Sequence, residues 1–191
     1  MLTVILTGGA SRRMGRDKAM LEWNGTTMLQ SLIDRYAALG PVAVSVDRAG
    51  RFSFRGAAEL VDRFPGMGPL NGIVSGFEST DEPFLLLTAT DLPFGDPALA
   101  RRLAERIADA GAAVLQRGVK GTEPLFAVYA RKVLPEARSC LASGKKSFRD
   151  LFERVTVRSV LPEEVPEFDL QRILTNINTP EEYAKTKNQK N

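Results

Sequence analysis

The stretch MLTVILTGGASRRMGRDK, residues 1–18, decides the reading of this chain. Leu2 to Leu6 is a compact apolar run rich in β-formers, and it ends abruptly at a loop with three glycines, two of them adjacent, and several basic side chains. Glycines let a backbone turn tightly and bring its N–H groups against phosphate oxygens, while Arg13 and Lys18 can neutralise several negative charges. A buried strand that opens directly onto such a loop is the start of an α/β nucleotide-binding unit. The loop is not a P-loop, because no GK[ST] follows at the required spacing, and its glycines do not fit the dinucleotide pattern GxGxxG. A lone double glycine reads as an ordinary surface loop; the third glycine and two basic side chains in so short a span reverse that reading.

Working outward, apolar runs alternate with helical segments. A helix is expected from about Thr27 to Leu39, stopped by Gly40 and Pro41, then a strand over Val42 to Val46 and a short strand ending at Leu60 and Val61. PGMGPLNG leads into a helix from about Leu70 to Phe77. Phe84 to Leu87 is another buried strand, Asp96 caps a helix over about Pro97 to Ala110, and Ala112 to Leu115 is a strand. Beyond it come a strand at Leu125 to Tyr129, helices at Lys132 to Leu141 and Phe148 to Phe152, and a strand at Val155 to Val160. Thr179 and Pro180 start a last helix, with 184–191 expected to fray. This alternation implies a mostly parallel sheet covered on both faces.

Composition narrows the function classes. The 191 residues suit one domain, and 43% hydrophobic with 26% charged residues is the balance of a globular chain. The single cysteine, Cys140, excludes an internal disulfide or a cysteine metal cluster and suits a reducing, cytoplasmic setting. No signal-peptide core or membrane-length apolar run is expected. The net charge of +3 arises from mixed charges rather than a basic stripe interleaved with aromatics, so neither nucleic acid nor membrane is expected as a partner. Histidine is absent, so proton transfer and metal ligation fall to carboxylates, lysines, amides and backbone groups.

Three more segments carry candidate chemistry. In TDLP, Asp91 stands at the carboxyl end of an apolar strand, where ligands of open α/β sheets bind and where a carboxylate can hold Mg²⁺ on phosphate oxygens. Its alternative role, a helix cap, is better filled by Asp96. In NINTPEE, Asn176 and Asn178 project to one side of extended backbone and can complete a metal shell or donate to phosphate; the same residues also suit a helix entry. In VDRFPGMGPLNG, Asp62 can accept from the N1–H and amino group of a guanine, or simply belong to a turn.

Taken in order, LTGGASRRMGRDK, PGMGPLNG, Asp91 and NINTPEE resemble the molybdenum cofactor guanylyltransferases of the nucleotidyltransferase superfamily, whose pattern is LxGGxSxRMGxxK, PGxGPLxG, a strand-end Asp and NxNTPEE. The likeness runs to about Glu182. It implies a single nucleotidyltransferase domain over 1–191: a Rossmann-like three-layer sandwich with a mostly parallel sheet, of the nucleotide-diphospho-sugar transferase type. It places Leu6, Gly8, Gly9, Arg13, Met14, Gly15 and Lys18 on the triphosphate loop, Asp62 at the guanine, Asp91 on magnesium, and Asn176 and Asn178 near the metal and the pterin. The implied reaction transfers GMP from GTP to the phosphate of molybdopterin, or of the molybdenum cofactor, and releases pyrophosphate; pterin-delivering proteins and molybdoenzymes are the implied protein partners. Arg13, Lys18 and Asp91 would be its catalytic residues. Thr7 departs from the usual alanine, Asn71 stands where alanine is common, and GTEPLF and GKKSFRDLF are only generally similar. The Gly8–Gly9 pair favours guanylyl over cytidylyl transfer, whose enzymes resemble LAAGxSxRMG. A nucleotidyltransferase with another phosphorylated acceptor and an inactive nucleotide-binding regulator are the alternative readings.

Overall fold

The computed structural model describes residues 1–7, 17–62, 64, 66–118 and 121–187. A seven-stranded sheet forms its middle layer, built from β1 (Leu2–Leu6), β4 (Val42–Val46), β5 (Ala58–Val61), β6 (Phe84–Ala89), β7 (Ala112–Arg117), β8 (Gly121–Ala130) and β9 (Val157–Val160). The strands lie in the order β5-β4-β1-β6-β8-β7-β9. All are parallel except β8, which runs against both β6 and β7. The expected mostly parallel, three-layer α/β architecture is therefore what the chain adopts.

Side chains of the central strands alternate between two apolar cores, as a period of two requires. Ile5, Val44, Leu86 and Val128 pack on one face against α1 (Met28–Tyr36) and α3 (Pro97–Arg106). Val4, Leu85, Leu87, Ala127 and Tyr129 pack on the other against α2 (Leu70–Glu78), α4 (Leu134–Ala142) and α5 (Phe148–Phe152). Because both faces are covered, the central strands read as continuous apolar runs, and this made them easy to find in the sequence.

Helix starts follow capping chemistry. Thr27 accepts from Gln30 N at 3.1 Å and Asp96 from Ala98 N at 2.7 Å. Helix α3 ends at Arg106 rather than near Ala110, since Ala108 takes a positive φ of 45° that breaks the helix. The segment from Lys132 divides into a 3-10 turn, Arg131–Val133, followed by α4, with Pro135 in the first turn of α4. Strand β9 begins at Val157, two residues later than expected. A hairpin of β2 (Glu22–Trp23) and β3 (Thr26–Thr27) was not anticipated; Asn24 and Gly25, with φ of 49° and 81°, supply its turn. A short helix α6 (Leu170–Ile173) interrupts the polar stretch before α7 (Pro180–Lys187), and α7 includes 184–187 of the tail expected to fray. Among the described residues no helix is long and apolar enough to cross a membrane.

Helix α2 approaches the sheet more closely than a side chain would allow. A Cβ at Gly76 would lie 2.5 Å from Leu85 Cδ1 and 2.8 Å from Val4 Cγ2, both in the packed core. Gly76→Ala gains helix propensity of about 0.5–1 kcal/mol but overpacks this contact, which typically costs about 1–3 kcal/mol. The expected outcome is a net loss of about 1 kcal/mol in urea unfolding, and unchanged or greater stability would refute the close packing.

Candidate active site at the carboxyl edge of the sheet

The polar residues singled out above that fall in the described structure lie along one edge, where the parallel strands end. This is where open α/β sheets bind ligands, because helix starts and loop N–H groups converge there. Leu6 is buried at the end of β1, and its carbonyl accepts from Thr90 N at 3.0 Å, tying the first strand to the turn after β6. That turn carries Asp91.

Asp91 is the electrostatic centre of the edge. Its Oδ1 is buried without a hydrogen-bond partner. Burial pushes its carboxyl above the ordinary carboxylate range; Lys18 and its own backbone N–H pull it down, and the negative charge of Glu123 pushes it up again. Its main-chain carbonyl accepts from Ile177 N at 2.9 Å, which brings the segment between α6 and α7 against the turn.

That contact places Asn178, whose Oδ1 accepts from Lys18 Nζ at 2.8 Å across 160 positions of sequence. Ile177 is buried between the two asparagines, which anchors the segment. Glu182 holds the backbone N–H of Asn178 at 2.6 Å and of Thr179 at 3.0 Å, so the entry to α7 is fixed. Lys18 begins a 3-10 turn capped by Asp17, whose carboxylate accepts from Ala19 N and pairs with Arg51 at 2.7 Å.

Asp62 follows β5 on the same edge, two strands from β1. Ser45 Oγ donates to Asp62 Oδ1 at 2.7 Å, and Thr7 Oγ1 donates to the Ser45 carbonyl at 2.5 Å. Thr7, the departure from alanine, thus has a bonding role between β1 and β4. Asn176 lies beside the buried Ile177 at intermediate exposure. Lys18, Asp91 and Asn178 are therefore gathered at one point and Asp62 stands to one side of it. Gly8, Gly9, Arg13, Met14 and Gly15 lie outside the described residues.

Two contributors were missed in the sequence. Ser45 sits in the apolar run VAVSV, where a lone serine carries no signal. Glu123 is the third residue of β8, just before the apolar run that follows Pro124, and an acidic residue at that place was a visible cue.

Among the described residues no three His, Cys, Asp or Glu side chains cluster to hold a metal. The arrangement instead suits Mg²⁺, which keeps several waters and binds through one or two carboxylates plus substrate phosphates. The orphaned, desolvated oxygen of Asp91 fits such a cation.

The sequence matches the model of the MobA-like NTP transferase domain over residues 3–159. A protein of Carboxydothermus hydrogenoformans named probable molybdenum cofactor guanylyltransferase is 34% identical over 96% of this chain and 94% of its own length. One of Bacillus subtilis with the same name is 31% identical over 96% and 92%. The crystal structure of molybdopterin-guanine dinucleotide biosynthesis protein A from Archaeoglobus fulgidus superposes with a TM-score of 0.83 at 23% identity, covering 98% of this chain and 97% of that one. The 2-C-methyl-D-erythritol 4-phosphate cytidylyltransferase of Thermus thermophilus shares the fold at a TM-score of 0.69 and 18% identity, over 97% and 96%. With the family model matched over most of its length and relatives above 30% identity nearly end to end, this chain belongs to the MobA-like NTP transferases, a nucleotidyltransferase family.

Proposed function

We propose that this nucleotidyltransferase moves the GMP unit of GTP to the terminal phosphate of molybdopterin or the molybdenum cofactor. The observation that carries the reading is the meeting of Lys18, Asn178 and the unpaired Asp91 oxygen at the strand ends. The names of the relatives support the choice of acceptor and nucleotide.

The acceptor phosphate oxygen forms a bond to the α-phosphorus as the α–β P–O bond breaks, and the electron pair leaves on pyrophosphate. A phosphate monoester has a second pKa of about 6, so the nucleophile is already dianionic at neutral pH and needs no base. A chain without histidine can run this reaction. What it must supply is alignment and charge neutralisation. Lys18 offers its ammonium group to the triphosphate, with Arg13 and the loop amides assigned to the same task. Asp62, oriented by Ser45, accepts from the guanine N1–H and amino group, an arrangement of donors no pyrimidine presents. Asn178, fixed through Glu182, presents its amide beside Lys18, and Asn176 is assigned to the acceptor side. Asp91 would hold Mg²⁺, which when bound neutralises developing charge on the phosphate oxygens.

Two outcomes test this. Lys18→Ala should lower turnover with GTP and molybdopterin by roughly a hundredfold or more, as for loss of one preorganised electrostatic donor. Near-normal turnover would remove Lys18 from the mechanism.

Asp91→Asn should separate stability from function. An acid raised in the folded state binds protons more tightly folded than unfolded, so its contribution to stability is present at low pH and lost as pH rises through the raised value. At neutral pH in EDTA the variant should therefore melt at a higher temperature than the parent, while in Mg²⁺ its turnover collapses. A lower melting temperature in EDTA would contradict the desolvated-carboxylate account.

A further inference from the structure

Arg51 joins two carboxylates that belong to different parts of the chain. Its Nη2 donates to Asp17 Oδ2 at 2.7 Å, across 34 positions of sequence, and its Nη1 donates to Asp47 Oδ1 at 2.9 Å. Two nitrogens of one planar fork make that bridge, an arrangement a lysine does not offer. The guanidinium also lies 4.8 Å from the centre of the Phe52 ring, and Phe52 packs against the core on the α1 face. Exposed ion pairs contribute little, but here the side chain of Arg51 is only 23% exposed and that of Asp17 25%. The loop that carries Arg51 is fastened as well, since Gly50 N donates to both carboxylate oxygens of Glu59 on β5 at 3.0 and 2.9 Å.

What the bridge holds is the turn that opens with Lys18. Asp17 Oδ1 accepts from Ala19 N at 3.2 Å while its Oδ2 accepts from Arg51, so one carboxylate both caps the turn and ties it to the loop after β4. A serine or an asparagine would cap the same turn without a charge. Aspartate instead sets a negative charge one residue from the ammonium assigned to the triphosphate, where an uncovered carboxylate repels phosphate. Arg51 covers that charge. Sheet order explains why the partner comes from this loop: β4 lies between β1 and β5, so the segment after β4 stands between Lys18 beyond β1 and Asp62 beyond β5. Asp62 N donates to the Val46 carbonyl at 2.8 Å, directly beside Asp47.

We propose that Arg51 is a positioning residue for the β and γ phosphates of the bound nucleotide, acting through Asp17 and without touching the ligand. Both of its Nη atoms are already engaged by carboxylates. The proposal rests on the reading of Lys18 as the triphosphate-binding cation.

The test is calorimetric titration of GTP and, separately, of GMP, in one Mg²⁺ buffer, with the folding of each variant checked by circular dichroism. GMP keeps the guanine and lacks the two outer phosphates, so the ratio of the two affinities reports on the Lys18 turn. Arg51→Gln should weaken GTP binding by about tenfold, the scale of uncovering one charge near a polyanion, and leave GMP binding unchanged. The double variant Asp17→Asn with Arg51→Gln should return GTP affinity to within about twofold of the parent, because asparagine caps the turn and leaves no charge to cover. Unchanged GTP affinity in Arg51→Gln, an equal loss for GTP and GMP, or a double variant as weak as the single one would overturn the proposal. If Arg51→Gln does not fold, the double variant decides, and a tenfold loss of GTP affinity there is the overturning result. Lys18→Ala should lose GTP affinity and keep that for GMP; parent-like GTP binding in it would instead overturn the reading of Lys18 beneath the proposal.

Discussion

Asp91 keeps a carboxyl oxygen out of solvent with no hydrogen bond to it, at the end of the strand nearest the middle of the sheet. A buried polar atom left unpaired costs stability, and a carboxylate costs more than most. The surrounding structure holds that oxygen in place nonetheless. Thr90 is tied to the Leu6 carbonyl, Ile177 to the Asp91 carbonyl, and Lys18 and Glu123 act on its charge from opposite directions. The net effect is a desolvated carboxyl oxygen held in place and left without a hydrogen-bond partner.

The C-terminal segment completes the edge. Lys18 meets Asn178, and Tyr183 packs on Trp23 with ring centroids 6.3 Å apart while its hydroxyl bonds the Glu22 carbonyl. Lys187 pairs with Glu22 as well. These contacts seat α7 on the hairpin that follows Lys18, so the two ends of the sequence are braced against each other. Exposed ion pairs such as Lys187–Glu22 contribute little each. The buried Trp23, which also meets Phe94 edge-on at 5.7 Å, supplies the apolar contact that gives the brace its strength.

Much of this was legible in the residues, for physical reasons that differ by element. Strands β1, β4, β6 and β7 are covered on both faces and declare themselves as apolar runs, and Asp96 before Pro97 announced α3. The reversal of β8 was invisible, because an apolar run reads alike in either direction. The Asn24–Gly25 turn had a cue in its dipeptide, but its strands are only two residues each and too short to show alternation. At the site, residue types and spacing pointed to Lys18, Asp91 and the asparagines, yet their meeting depends on contacts across 160 positions that no local pattern encodes. Ser45 and Glu123 act through neighbours brought close by sheet order, and strand order was not readable from the chain.

The central claim, a magnesium-dependent site selective for guanine nucleotide, is tested most directly by thermal stabilisation of the purified protein with GTP, CTP, ATP and UTP, each with and without Mg²⁺. A ligand that binds only the folded state raises its stability by RT ln(1 + [L]/Kd), about 2.7 kcal/mol at a hundredfold excess over Kd. The account predicts a rise in melting temperature with GTP that grows when Mg²⁺ is added and that CTP, ATP and UTP do not match. A rise selective for CTP, or no rise with any nucleotide, would contradict it.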